Sequence, residues 1–170
     1  IEDLILEVPA VPAGQGVNLD GQLDDPAWGE AAAVNLVPIK NEADPLVKTT
    51  VRALWSEDRL YLGFDCQEPR LADLLLAERQ PDDPNTWQDS SVEIFLNPSG
   101  DRAAYFQIIV NANGLVADVA WTKTAVGVKT ADWKWNSGAV ARAGRTEAGF
   151  TLEIAIPLAA LAPAGLQPGT

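Results

Sequence analysis

Asn111-Ala112-Asn113-Gly114 separates two runs of alternating residues, Ala104 to Asn111 and Leu115 to Trp121. Asn-Gly is the strongest short-range hairpin signal, because both residues tolerate the positive φ of a tight turn between twisted strands. Alternation with period two belongs to an extended chain, so each run is a strand with two unlike faces. On the first run Tyr105, Gln107, Ile109 and Asn111 share a face opposite Phe106, Ile108 and Val110. On the second, Val116, Asp118 and Ala120 oppose Leu115, Ala117 and Val119. An antiparallel hairpin with an apolar face needs a second layer to cover it.

The same signature recurs along the chain. Thr49 to Trp55 pairs with Leu60 to Cys66 across Ser56-Glu57-Asp58-Arg59, and Ala139 to Arg142 with Gly149 to Ile156 across Ala143-Gly144-Arg145-Thr146-Glu147. Val34 to Ile39 reads as a further strand, and Ile1 to Val8 as a loosely alternating edge strand. In Ser91-Val92-Glu93-Ile94-Phe95-Leu96, the residues Val92, Ile94 and Leu96 form a core face; Ser91, Glu93 and Phe95 form a mixed acidic and aromatic one. About ten short strands without βαβ alternation predict an all-β chain, an antiparallel β-sandwich of immunoglobulin or jelly-roll type with one or two short helices. Asp24 or Asp25 as N-cap, with Pro26 at the first helical position, predicts a helix from Pro26 to about Ala32 with Trp28 buried beneath it. Leu71 to Gln80 reads as one or two helical turns, and Leu158 to Leu161, after the stop at Pro157, as a short turn or helix.

Composition removes more functions than it adds. The 170 residues, 47% of them hydrophobic, suffice for one domain with its own core. Twelve Lys and Arg stand against 24 Asp and Glu, a formal net charge of -12. Such a surface repels phosphate backbones and anionic lipid, so neither nucleic acid nor a membrane surface is an expected partner. There is no His, no Met and one Cys. A Ser-His-Asp triad, a Cys-His dyad, a His-built zinc site and the usual His or Met ligands of haem are therefore excluded. Cys66 reads as a small buried hydrophobe. No run approaches the roughly 20 apolar residues of a membrane span. Starting at Ile1 without a signal-like segment, the chain reads as a mature or excised piece.

Six tryptophans remain to be explained. A buried indole needs a partner for its N–H, so cores fill first with Phe, Leu, Ile and Val. Trp28, Trp55 and Trp121, on a helix and at strand ends, are assigned to structure. Trp87, delivered by the polar loop Pro81-Asp82-Asp83-Pro84-Asn85-Thr86, and Trp133 and Trp135 in a later loop are the candidate platforms for pyranose rings. One of the last two is expected to cap an open end of the sandwich.

At this point the chain resembles carbohydrate-binding module family 9 and its wider group of DOMON-like sandwiches. The resemblance rests on Leu19-Asp20-Gly21-Gln22-Leu23-Asp24-Asp25-Pro26-Ala27-Trp28, Val51 to Leu62, Trp87 to Leu96, Tyr105 to Gly114 and Phe150-Thr151-Leu152-Glu153-Ile154-Ala155-Ile156-Pro157. It covers nearly all of 1–170, read as one binding domain. It implies structural calcium and attachment to a secreted, extracellular or periplasmic enzyme of polysaccharide degradation, such as a xylanase. It also implies two tryptophans clamping a sugar of a cello- or xylo-oligosaccharide or polysaccharide. Trp87 would be one clamp, Glu93 the acid on the hydroxyls, and Trp135 the second clamp in preference to Trp133. Gln107 falls where the family places polar contacts; Ile109 cannot bond a hydroxyl, and Asn111 would substitute. Asp20, Asp24 and Asp25 are the candidate calcium ligands. The family continues past Pro168-Gly169 into one more strand, so a truncated piece, or a neighbouring segment completing the sheet, is expected.

Two rival functions follow from the same residues. A glycosidase would pair Glu93 with Asp118 or Asp89, one of them with a raised pKa. An interaction domain would keep the sandwich and lose the sugar site; exposure of Trp87 together with Trp133 or Trp135 separates it from a binding module.

Overall fold

The computed structural model describes residues 6–37, 48–100, 103–123 and 127–161. Among the described residues, nine antiparallel strands form two sheets. The first carries β1 (Ala32–Asn35), β2 (Thr49–Trp55), β3 (Arg59–Gln67), β8 (Val140–Arg145) and β9 (Gly149–Pro157) in the order β1-β2-β3-β9-β8. The second runs β4 (Ser91–Leu96), β5 (Ala104–Asn111), β6 (Val116–Lys123) and β7 (Lys129–Asp132) in chain order. Between the sheets lies one apolar core. Leu62, Phe64, Leu152, Ile154 and Ile156 meet Ile94, Ile108 and Val110, all below a tenth exposed. The predicted sandwich is therefore what the chain forms.

The hairpins close as their turns dictate. Gly114 takes φ +80°. Asn111 Oδ1 accepts the amides of Asn113 and Leu115, holding the turn from inside. That turn sets the β5–β6 register, with Tyr105 opposite Trp121 and Gln107 opposite Val119. Cys66 is buried in the core, and burial pushes its thiol up to about 11.

Four local expectations change. The helix expected to reach Ala32 is a single 3-10 turn, Pro26–Gly29, because β1 already begins at Ala32. Leu71 to Gln80 contains only the turn Leu71–Asp73; beyond it the backbone is drawn out, with Leu75 exchanging bonds with Ser90. The strand expected over Val34 to Ile39 ends at Asn35, and Ile39 lies outside the described residues. β7 forms where a loop was expected, since Lys129-Thr130-Ala131-Asp132 carries no apolar alternation and is held by pairing with β6. Ile1 to Ile5 and the chain past Leu161 also lie outside the described residues, and with them most of the proposed edge strand.

The opening segment covers the outer face of the five-stranded sheet. Trp28, Ala27 and Leu54 make a second small core there, flanked by Leu23 and Tyr61. Gly63 admits it: a β-carbon at that position would lie 2.7 Å from Leu23 Cδ2 and 3.3 Å from the Trp28 ring. On the outer face of the four-stranded sheet, Glu93 and Phe95 are exposed.

Candidate functional site

Alternation in β4, β5 and β6 puts Glu93, Phe95, Tyr105, Gln107 and Trp121 on one outer surface. Gln107 sits at its centre. Its Nε2 donates to Glu93 Oε2 at 2.7 Å, and its Oε1 accepts from Trp121 Nε1 at 2.8 Å. Only one orientation of the amide satisfies both neighbours, so Gln107 fixes the exposed Glu93 carboxylate and the Trp121 ring together. Tyr105 lies between Phe95 and Trp121, with ring centroids 6.0 Å away on either side. Lys129 Nζ donates to the Tyr105 hydroxyl at 3.2 Å and stands 5.3 Å from its ring centroid.

Trp87 lies on a 3-10 turn, Thr86–Gln88, that packs against β4 and β5. Its side chain is 56% exposed, a large area for an indole on an ordered turn. The order comes from acids at its flanks. Asp83 Oδ1 accepts from the Asn85 amide, and Thr86 Oγ1 donates to the Asp83 carbonyl. Asp89 is buried and accepts from Arg79 Nε at 2.9 Å and from Asn111 Nδ2 at 2.9 Å. Burial raises the Asp89 carboxyl, but the bonds from Asn111, Arg79 and Ala77 and the charge of Arg79 outweigh it and hold the group below its ordinary value. Arg79 bridges Asp89 to Asp83, 3.5 Å away, and so fastens both ends of the turn.

The other candidates separate. Trp133 follows β7 and is 38% exposed. Trp135 stacks on Phe106 at 4.5 Å and packs against the core, so the preference for it as second clamp passes to Trp133. Asn111 is 2% exposed and its amide is spent on Asp89 and the hairpin turn; it is removed as a ligand contact. Asp118 lies on the core side of β6, also 2% exposed, where Ser137 donates to it through amide and hydroxyl. Glu93 and Asp118 thus occupy opposite faces of the sheet, and Asp89, held ionised, lacks the raised pKa of a general acid. Glu93 and Asp118 therefore form no carboxylate pair for glycoside hydrolysis.

Asp20 and Asp25 meet around Asn18. Asp20 braces its own turn, accepting from the Gln22 amide and Asn18 Nδ2, and Asp25 accepts from the Asn18 amide. Among the described residues no three His, Cys, Asp or Glu side chains form a group able to hold a metal.

The sequence puts Phe95 beside Glu93 and Tyr105 beside Gln107 on outer strand faces but marks neither as a contact, and Trp121 reads there as structural alone. The Asn113-Gly114 turn carried the missing signal. Counting outward from it puts Tyr105 opposite Trp121, on the face already given to Gln107.

A two-sheet sandwich with an exposed aromatic loop over an acid-and-amide face defines the class of β-sandwich binding domains. The comparisons give the family. The sequence profile described as "Carbohydrate family 9 binding domain-like" matches residues 19–169, and the chain belongs to that family. Over 90 residues it is 26% identical to endo-1,4-beta-xylanase A of Thermotoga neapolitana, a match spanning 52% of this chain but only 8% of the xylanase. Among solved structures, a family 9 carbohydrate-binding module from Caldicellulosiruptor kristjanssonii in complex with cellotriose superposes with a TM-score of 0.54 at 21% identity, over 88% of this chain and 65% of that one. Its glucose complex gives 0.55 at 19% identity, over 88% and 68%. A putative carbohydrate-binding protein from Bacteroides uniformis gives 0.65 at 14% identity, over 94% and 75%. At these identities the structures establish a shared fold. No helix among the described residues is long and apolar enough to cross a membrane, which says nothing of a β-barrel.

Proposed function

We propose that this domain is a non-catalytic carbohydrate-binding module that holds a saccharide between Trp87 and the acid-and-amide face of the four-stranded sheet. The observation carrying this reading is the 56% exposed indole of Trp87, braced at both ends by Arg79 and standing on the strand pair that presents Glu93. The C–H face of a pyranose is apolar and weakly positive, which suits the electron-rich face of an indole. Its hydroxyls need acceptors with fixed lone pairs, which a carboxylate oriented by Gln107 supplies. A braced loop loses little freedom on binding, so more of the contact energy appears as affinity. Trp133 completes the clamp in this reading. Family membership supports saccharide recognition. Glucose and cellotriose in the neighbouring complexes, and the xylanase match, point to glucan or xylan chain ends or small saccharides, in a module of a larger secreted enzyme outside the cell or in the periplasm.

Calorimetric titration with glucose, cellobiose and xylobiose tests it. Saturable binding by the wild type, lowered about thirtyfold or more by Trp87→Ala and clearly reduced by Glu93→Gln, is the expected result. Unchanged affinity in Trp87→Ala would remove the site assignment. No heat with any sugar would turn the domain into an interaction module.

A further inference from the structure

Glu93 does not mark the edge of the face it belongs to. Phe95, two residues along the same strand face, is 58% exposed and lies opposite Gln107. Tyr105 and Trp121, directly opposite each other on β5 and β6, extend the aromatic surface across the sheet. We infer that Phe95, Tyr105 and Trp121 form a second, aromatic subsite that takes the further sugars of an oligosaccharide whose first residue is held at Trp87 and Glu93. The inference rests on the proposed function and specifies its substrate as a chain of several pyranoses.

Three observations carry it. The first is continuity, because Gln107 bonds Glu93 with one end of its amide and Trp121 with the other. A ligand ordered against Glu93 therefore already lies against the aromatic surface. The second is exposure. A lone exposed aromatic is ordinary, whereas Phe95, 58% exposed, continues through the half-buried Tyr105 ring to half-buried Trp121, a row of rings across three strands of the kind that marks an interaction site. The third is the polar bracket at the far side. Lys129 and the Tyr105 hydroxyl sit together there, so rings on the floor are flanked by an acid at one end and by an ammonium and a phenol at the other. Sugars in a chain present C–H faces to a floor and hydroxyls to its margins, and the surface matches both.

The test is a chain-length series of glucose, cellobiose, cellotriose and cellotetraose, with the matching xylose series alongside, titrated into wild type and Phe95→Ala. Phe95 is largely solvent-exposed, so its truncation leaves the core intact, which an unchanged thermal midpoint confirms; Tyr105→Leu is the second variant. The wild type is expected to gain about fivefold or more in affinity from the monosaccharide to the trisaccharide, and either variant to bring that ratio to about one. Wild type binding the monosaccharide and trisaccharide equally, or a variant keeping the full gain, would overturn the second subsite while leaving the Trp87 site standing. Wild type binding no member of either series would overturn both readings and leave the aromatic surface to a protein partner.

Discussion

The indole N–H of Trp28 donates to Glu153 Oε1 at 2.8 Å, joining residues 125 apart in the chain. Glu153 Oε2 accepts the amides of Asp20 and Gly21 at 2.9 and 2.8 Å, and Thr151 Oγ1 donates to the Gly21 carbonyl. One fully buried carboxylate on β9 thus pins the Asp20-Gly21 turn and the Pro26-Ala27-Trp28 turn to the outer face of the sheet. Burial pushes the Glu153 carboxyl above its ordinary value, against the three N–H bonds that favour its charge. In Glu153→Gln one acceptor oxygen becomes a donor facing N–H groups. A loss of about 2–4 kcal/mol of stability is expected in urea unfolding, with no change in slope. A loss below about 1 kcal/mol would mean that the segment is held by apolar contact alone.

Gly144 lets the same turn approach. A β-carbon there would strike the Gly21 carbonyl oxygen and lie 2.6 Å from Thr151 Oγ1. Gly144→Ala is expected to cost about 3 kcal/mol or more, since the obstacle is backbone. Gly29, with open space around its missing β-carbon, is the control and should tolerate Ala within about 0.5 kcal/mol. Thermal melts of the two variants decide between them.

The Trp87 turn should loosen in acid. Asp89 titrates below its ordinary value when folded, so its contribution is complete above the unfolded pKa of about 3.9 and is lost as pH falls through the lower, folded value. The Arg79 Nε–H resonance, bonded to Asp89 Oδ1, reports this directly. It should be steady down to about pH 4 and move only below that. A step nearer neutrality would contradict the assignment.

Gln107 acts through its neighbours. Gln107→Leu is expected to lower saccharide affinity about five- to tenfold by releasing both Glu93 and Trp121, while the half-buried position leaves folding stability within about 1 kcal/mol. Paired titration and melting curves check the split. Equal losses in stability and affinity would make Gln107 a purely structural residue.

The sandwich was legible in the sequence because strand alternation and turn chemistry are local signals, as Asn113-Gly114 and the Thr49 to Cys66 hairpin show. β7 was not, since a short polar edge strand owes its state to the neighbour it pairs with. The placement of Trp87 on an exposed loop and of Glu93 on an outer strand face was legible through loop chemistry and alternation. Asn111 misled because an amide beside an outer face looks available until Asp89 and the hairpin turn claim it. The role of Glu153 is invisible locally: a lone acid in an apolar strand acquires partners only when residues 20–28 fold over it.

Saccharide should contact Trp87 rather than the tryptophans inside the fold. The six indole N–H signals of the 15N-labelled protein, assigned by single substitutions, can be followed while cellobiose is added. A saturable shift of Trp87 is expected, with Trp133 moving beside it and Trp28 and Trp135 stationary. A shift centred on Trp28 or Trp55, or a saturating calorimetric response during which Trp87 stays still, would contradict it.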